Sequence, residues 1–215
     1  MEVLIVGDVH GCYYTFKKLV KKHWDPSSMY LVQLGDLVNK GRHSGRCLKW
    51  AMELKEEFPY QVFFLKGNHE MKLLQAASDR NVIKTRNNVL KHHLDWSHVR
   101  KWVQEQPIKW ENPHILVTHA GVGKGTKKPF SEDNTRGVVY NRSAIKPLDK
   151  LQVFGHVAQN KGEPKYLEKD NAWCIDTGAA NGHCLTALRL SYKGKVKEII
   201  SIPTLEEDLH GSKKN

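Results

Sequence analysis

Apolar residues along the chain gather into short runs, each ending at a glycine or a polar cluster. Val3 to Val6, Tyr30 to Leu34, Val62 to Leu65, Ile115 to Thr118 and Leu151 to Phe154 are rich in β-branched and aromatic residues. Strands buried on both faces read this way. Between the first three runs the period changes. Tyr13, Phe16 and Val20 share one helical face after Gly11, and Cys47, Trp50, Ala51 and Leu54 share another after His43. Strand, helix, strand, helix, strand predicts an α/β domain whose sheet is covered on both faces.

Farther along, Trp96, Val99 and Val103 stand at helical spacing within the mixed, polar stretch from Ser78 to Gln106, which predicts a helical insertion. Residues 121–136 hold Gly121, Gly123, Gly125 and Pro129 among charges and predict the longest loop. Ala172 to Ile175, Cys184 to Leu190 and Lys195 to Ser201 read as strands joined by turns. A single domain is expected over 1–205. Residues 206–215, charged and poor in apolar groups, are expected to form a flexible tail.

Composition narrows the class. Of 215 residues, 40% are hydrophobic and 27% charged, which excludes collagen-like and coiled-coil structure and suits one globular unit. No apolar run approaches the 18 or so residues needed to span a bilayer, and no basic segment precedes the first strand. Cys12, Cys47, Cys174 and Cys184 are scattered without a Cys-x-x-Cys pair, so neither a disulfide scaffold nor a thiolate zinc site is indicated. A cytoplasmic monomer with reduced cysteines and no membrane partner is expected. The net charge of +11 draws anions, making phosphates, nucleotides and nucleic acid the natural partners. Lys17, Lys18, Lys21 and Lys22, opposite the first helix's apolar stripe, read as a solvated face.

Candidate chemistry follows the strands directly. Gly-Asp-Val-His-Gly occupies 7–11, Gly-Asp 35–36 and Gly-Asn-His-Glu 67–70, while His119 precedes Ala-Gly and Gly155 precedes His156. In open α/β sheets the ligand site lies outside the carboxyl ends of the strands, so these groups should converge across about 150 residues of sequence. Mixed oxygen and imidazole donors suit manganese, iron, zinc or nickel better than calcium. Glycine before the ligand lets the backbone turn sharply and lets an anion approach.

With Ile-Asp-Thr-Gly at 175–178, this ordered set resembles the calcineurin-type metallophosphoesterases of the phosphoprotein phosphatase superfamily, from Val3 to about Leu190. Within it the chain is most similar to ApaH-like phosphatases, which include symmetrical diadenosine tetraphosphatases, and to bacteriophage-type serine/threonine phosphatases. The resemblance implies a two-sheet βαβ sandwich flanked by helices. It also implies two divalent ions, manganese first, with iron, zinc, nickel, cobalt or magnesium as substitutes. Asp8 and His10 would bind one ion, Asp36 would bridge both, and Asn68, His119 and His156 would bind the other. A bridging hydroxide would attack phosphorus in line. His69 would protonate the leaving oxygen, and Lys40 and Arg142 would hold phosphate. The remaining histidines (His23, His43, His92, His93, His98, His114, His183 and His210) lack such placement and read as structural or exposed.

One segment departs from the family pattern. Where Gly-Asp-x-Val-Asp-Arg-Gly is usual, Asn39 and Lys40 replace the second aspartate and the arginine. That aspartate orients the catalytic histidine and favours its protonated form. Asn39 is expected to accept a hydrogen bond from His69 without adding charge, leaving a weaker acid that disfavours serine alkoxide more than an anhydride's phosphate. The expected substrate is therefore a dinucleoside polyphosphate or related nucleotide. A serine/threonine phosphoprotein is the alternative, and a non-catalytic module binding RNA through the basic surface is a minor one.

Overall fold

Strand β1 (Glu2–Val6) lies at the centre of the first sheet because alternate side chains serve two different layers. Val3 and Ile5 face the interior between two sheets, whereas Leu4 and Val6 face the helices. The computed structural model describes residues 1–209 apart from Ala76 and Asn160.

After β1 come α1 (Tyr13–His23), β2 (Met29–Gln33), α2 (Ser44–Glu57), β3 (Val62–Phe64), α3 (Asn68–Gln75), α4 (Arg80–Lys91) and α5 (Trp96–Glu105). Then follow β4 (Lys109–Glu111), β5 (Ile115–Thr118), β6 (Leu151–Phe154), β7 (Lys165–Leu167), β8 (Ala172–Cys174), β9 (Cys184–Ser191) and β10 (Val196–Pro203). One five-stranded sheet has the order β10-β9-β1-β2-β3, with β1, β2 and β3 parallel; the other runs β4-β5-β6-β8-β7, with β5, β6 and β8 parallel. Val3, Ile5, Val32 and Leu188 of one sheet pack with Ile115, Val117 and Val153 of the other. The expected α/β sandwich is therefore present.

Helices cover the outer face of the first sheet, where Phe16, Leu19, Leu48 and Ala51 meet Leu4, Val6, Leu31 and Phe64. The insertion is helical as the spacing predicts. Asp79 caps α4 and Asp95 caps α5, and Val82, Val89, Val99 and Val103 are buried beneath them. Over the second sheet, part of the outer cover is the long segment between β5 and β6, whose Val122, Val138 and Val139 pack on Leu116 and Met71. Buried Lys66 anchors that segment through Glu132 at 2.6 Å. The short β4 and β7 were not expected; Lys109, Glu111, Lys165 and Tyr166 give them no apolar run to recognise, and both sit at sheet edges.

The expected tail from 206 is corrected over its first four residues. Glu206–Asp208 form a 3₁₀ turn, and Asp208 is fully buried. Its carboxylate accepts from Tyr14 N at 3.0 Å, from Thr15 N at 2.7 Å and from Thr15 Oγ1 at 2.7 Å. Helix α1 has no side-chain cap of its own at Cys12, so Asp208 satisfies its first turn from the far end of the sequence. Residues 210–215, with His210, lie outside the described residues.

Candidate metal centre

The loops after the strands are tied to one another before any side-chain chemistry begins. Val9 N and His10 N donate to Asp36 O, Gly11 N donates to Leu37 O, and Gly41 N donates to His10 O. Buried Gln33 bridges two turns, donating to Gly7 O and Gly35 O while accepting from Gly35 N. Glu70 joins the second and third loops: its carboxylate accepts from Asp36 N at 2.6 Å, Leu37 N at 2.9 Å and Gly67 N at 2.9 Å.

Several of the predicted side chains project from unusual backbone. His10, Asp36, Asn39, Lys40 and His156 have φ of 47°, 54°, 70°, 59° and 73°, a region L residues rarely adopt. Glycine is required where carboxylates press against the chain. A Cβ on Gly67 would lie 2.3 Å from Asp36 Oδ1, and one on Gly155 would lie 2.1 Å from Asp8 Oδ1.

Asp36 is the hub. Its Oδ2 lies 3.4 Å from His10 Nε2 and 3.9 Å from His69 Nε2, and its Oδ1 lies 3.5 Å from His119 Nε2. Donor atoms of His10, Asp36 and His69 lie within 4.8 Å of one another, as do those of Asp36, His119 and His156. Asn68 Oδ1 completes the second group, 3.1 Å from His119 Nε2 and 2.9 Å from His156 Nδ1. Four of the other five expected ligands thus gather around the Asp36 carboxylate. Asp8 is buried just behind them, its carboxylate accepting from His156 N at 3.2 Å. His69, expected only as an acid, stands with the first group. Lys40 Nζ reaches His10 Nε2 at 2.7 Å. Arg142 is exposed on the loop after β5, near enough for its charge to act on His119 and His156.

The donor chemistry fits cations. His10 Nδ1 pairs with Val38 O and His119 Nδ1 with Leu34 O, so each ring turns an Nε2 lone pair toward Asp36. At His10 the Lys40 ammonium answers the ring nitrogen, but the lone pairs of His119 Nε2 and Asp36 Oδ1, facing each other at 3.5 Å, repel unless positive charge lies between them. Burial holds the imidazoles unprotonated: His119 and His156 are pushed down to about 3, and His10 is also lowered by burial and then by Lys40. Burial pushes Asp36 up to about 7, and burial together with Asp36 pushes Glu70 up to about 8. Asp8 is raised by burial and by neighbouring Asp176 and Asp36. Divalent cations would remove that penalty by favouring the charged carboxylates.

Asn39 behaves differently from the sequence expectation. Thr85 Oγ1 donates to Asn39 Oδ1 at 2.6 Å, so the amide nitrogen faces His69 Nδ1 at 2.8 Å and donates to it. The His69 proton is thereby placed on Nε2, the nitrogen nearer Asp36. Burial, then Lys40, pushes His69 down to about 3. Sequence reading gave no role to Glu70, Thr85 or Asp176; of these only Glu70 and Asp176 lie within recognised motifs.

Fold and site together define a metallophosphoesterase. A family model described as calcineurin-like phosphoesterase matches residues 1–183, and the chain belongs to that family. A symmetrical bis(5′-nucleosyl)-tetraphosphatase of Actinobacillus succinogenes is 32% identical over 57% of this chain and 45% of its own. The chain therefore spans about half the length of that relative. An asymmetrical bis(5′-nucleosyl)-tetraphosphatase of Bacillus cereus is 27% identical over 95% of both chains. Among solved structures, a candidate diadenosine tetraphosphatase has a TM-score of 0.66 at 23% identity, covering 95% of this chain and 94% of that one. A serine/threonine phosphatase of Saccharomyces cerevisiae has a TM-score of 0.67 at 15% identity, covering 96% and 81%. These two share the fold. Among the described residues, no helix is long and apolar enough to cross a membrane.

Proposed function

We propose that the chain is a hydrolase with a two-metal centre that cleaves phosphoanhydride bonds in dinucleoside polyphosphates or related nucleotides. The observation that carries this reading is the single Asp36 carboxylate shared by two convergent donor groups. His10, Asp36 and Asp8 would hold one ion and Asp36, Asn68, His119 and His156 the other; manganese is the proposed metal because it accepts carboxylate, amide and imidazole together. Bound there, two divalent ions would neutralise phosphoryl charge and acidify water.

The chain's own residues do the rest. Lys40 and Arg142 bring positive charge to the phosphate oxygens, Lys40 as a mobile point charge and Arg142 as a planar fork. His69 presents an Nε2 proton toward the leaving oxygen, and Asn39, held by Thr85, fixes that ring. A neutral imidazole is a weak acid, which suits a phosphate leaving group better than a serine alkoxide. Glu70 holds the Asp36 backbone, and so the hub, in its left-handed conformation.

The test is a substrate panel on chelator-treated protein restored with manganese: diadenosine tetraphosphate, an aryl phosphate and a phosphopeptide. Metal-dependent turnover with the anhydride preferred is expected. Turnover that survives metal removal overturns the two-metal reading, and preference for the phosphopeptide replaces the anhydride substrate with a serine/threonine phosphoprotein.

A further inference from the structure

Two cavities flank Arg142 and share Asn141, Arg142 and Ser143 as a common wall. Their linings differ, although Lys124 of one pairs with Asp170 of the other at 3.8 Å. One, of about 280 Å³, is walled by Ile145, Phe154 and Leu167, with Gln159, Lys165 and Asp170 as its polar side chains beyond the shared wall. The other, of about 430 Å³, has Lys124, Arg136 and Arg142 on its walls and no carboxylate. The apolar cavity also backs onto the metal centre: Gly155, one of its lining residues, lies against Asp8 and carries His156 next in sequence.

We infer that the apolar cavity beside Arg142 is the subsite for the nucleobase of a nucleoside phosphate whose phosphate Arg142 holds. This rests on the reading of the chain as a nucleotide-directed phosphoesterase. A base is a flat group with apolar faces and hydrogen-bonding edges, which is the pattern of this cavity: aliphatic and aromatic walls, with the Gln159 amide oxygen, Lys165 and Asp170 to read an edge. The volume is close to the lower end for small-molecule pockets, about 300 Å³, so it suits a single ring system rather than a peptide. On the far side of Arg142, the cationic cavity suits the continuing phosphate chain. Base, arginine and polyanion groove thus follow the order of groups along a nucleoside oligophosphate. A serine phosphate would need neither cavity.

The test is calorimetric binding to the manganese-loaded full chain of two ligands with an uncleavable P–C–P link: methylenediphosphonate and its adenosine ester, adenosine 5′-(α,β-methylene)diphosphate. The adenosine ester is expected to bind at least tenfold more tightly. Ala144→Trp and Val157→Trp, at two exposed positions lining the cavity, should each reduce that advantage below threefold. Equal binding of the two ligands by the parent overturns the inference. So does an adenosine advantage that persists in a variant melting at the parent's temperature. Failure of the hydrolase reading looks different: no metal-dependent turnover, with the adenosine advantage intact.

Discussion

Asn39 and His69 meet nitrogen to nitrogen, Asn39 Nδ2 lying 2.8 Å from His69 Nδ1. The amide therefore stabilises the imidazole with an unprotonated Nδ1 and opposes the imidazolium form. Asn39→Asp would reverse this, since an adjacent carboxylate favours the charged ring by about 1–3 pKa units. The variant should raise turnover of the phosphopeptide several-fold relative to diadenosine tetraphosphate, and NMR titration should show His69 moved upward. An unchanged substrate ratio would refute this account of Asn39.

Thr85 reaches the same histidine indirectly from α4. Thr85→Val removes the hydroxyl that donates to buried Asn39 Oδ1 and leaves that oxygen unsatisfied. A loss of about 1–3 kcal/mol in urea unfolding is expected. The amide is also freed to turn its oxygen toward His69, which favours the protonated ring, so the limb of the rate profile on which activity falls with rising pH should shift upward. A stability loss with an unmoved profile would make Thr85 structural only.

Asp36→Asn should keep the fold, because an amide oxygen can still accept from His69 N as Asp36 Oδ1 does at 2.9 Å. Without the shared charge, both donor groups lose their common oxygen anion. Turnover should fall by at least about 10²-fold, and the rise in melting temperature on adding manganese should vanish. If the variant keeps the metal-induced shift, Asp36 is not the hub.

The metal-free protein should be less stable at pH 8 than at 6.5. Folding raises Asp36 to about 7 and Glu70 to about 8 from the ordinary carboxylate values of 3.8 and 4.5, so the folded chain holds more protons and rising pH costs stability. His69, His119 and His156, held at about 3 against 6.5, and His10, also lowered by burial, act in the opposite sense; that effect is strongest below pH 6.5 and fades above it. From 6.5 to 8 the carboxylates therefore decide. Melting curves in chelator should fall across this window, and manganese should remove the decline. A rising curve in chelator contradicts the assignment.

Asp208→Ala removes three hydrogen bonds from the first turn of α1, two of them to backbone N–H groups otherwise without a cap. Charge-assisted bonds of this kind contribute about 1.5–3 kcal/mol each at most, so a loss of about 2–3 kcal/mol in chemical denaturation is expected. No measurable change would mean that residues 206–209 are merely laid on the surface.

Period and punctuation made β1, β2, β5 and β6 legible, along with the candidate donor side chains at their ends, because both signals are local. Five of the six expected ligands were brought together as read. Asn39's departure was visible too, but its hydrogen-bond direction was not. That depends on Thr85, 46 residues away on a helix whose docking no local pattern specifies. Glu70 likewise acts on Asp36 across 34 residues, and Asp208 on Thr15 across 193. Composition alone marked 206–209 as loose, because a buried carboxylate satisfied by a distant helix end looks like any other charge.

The pairing of β1 with β9 sets an order in time. Ribosomes deliver the amino-terminal strand first, at about 5–20 residues per second. The antiparallel neighbour that pairs with Glu2 through Val6 begins only at Cys184. The GDVHG loop thus leaves the exit tunnel long before its sheet can close, and a nascent chain carries Asp8 and His10 without the framework that would aim them. Asp8 and His10 come to rest in their final positions only once β9 has been made.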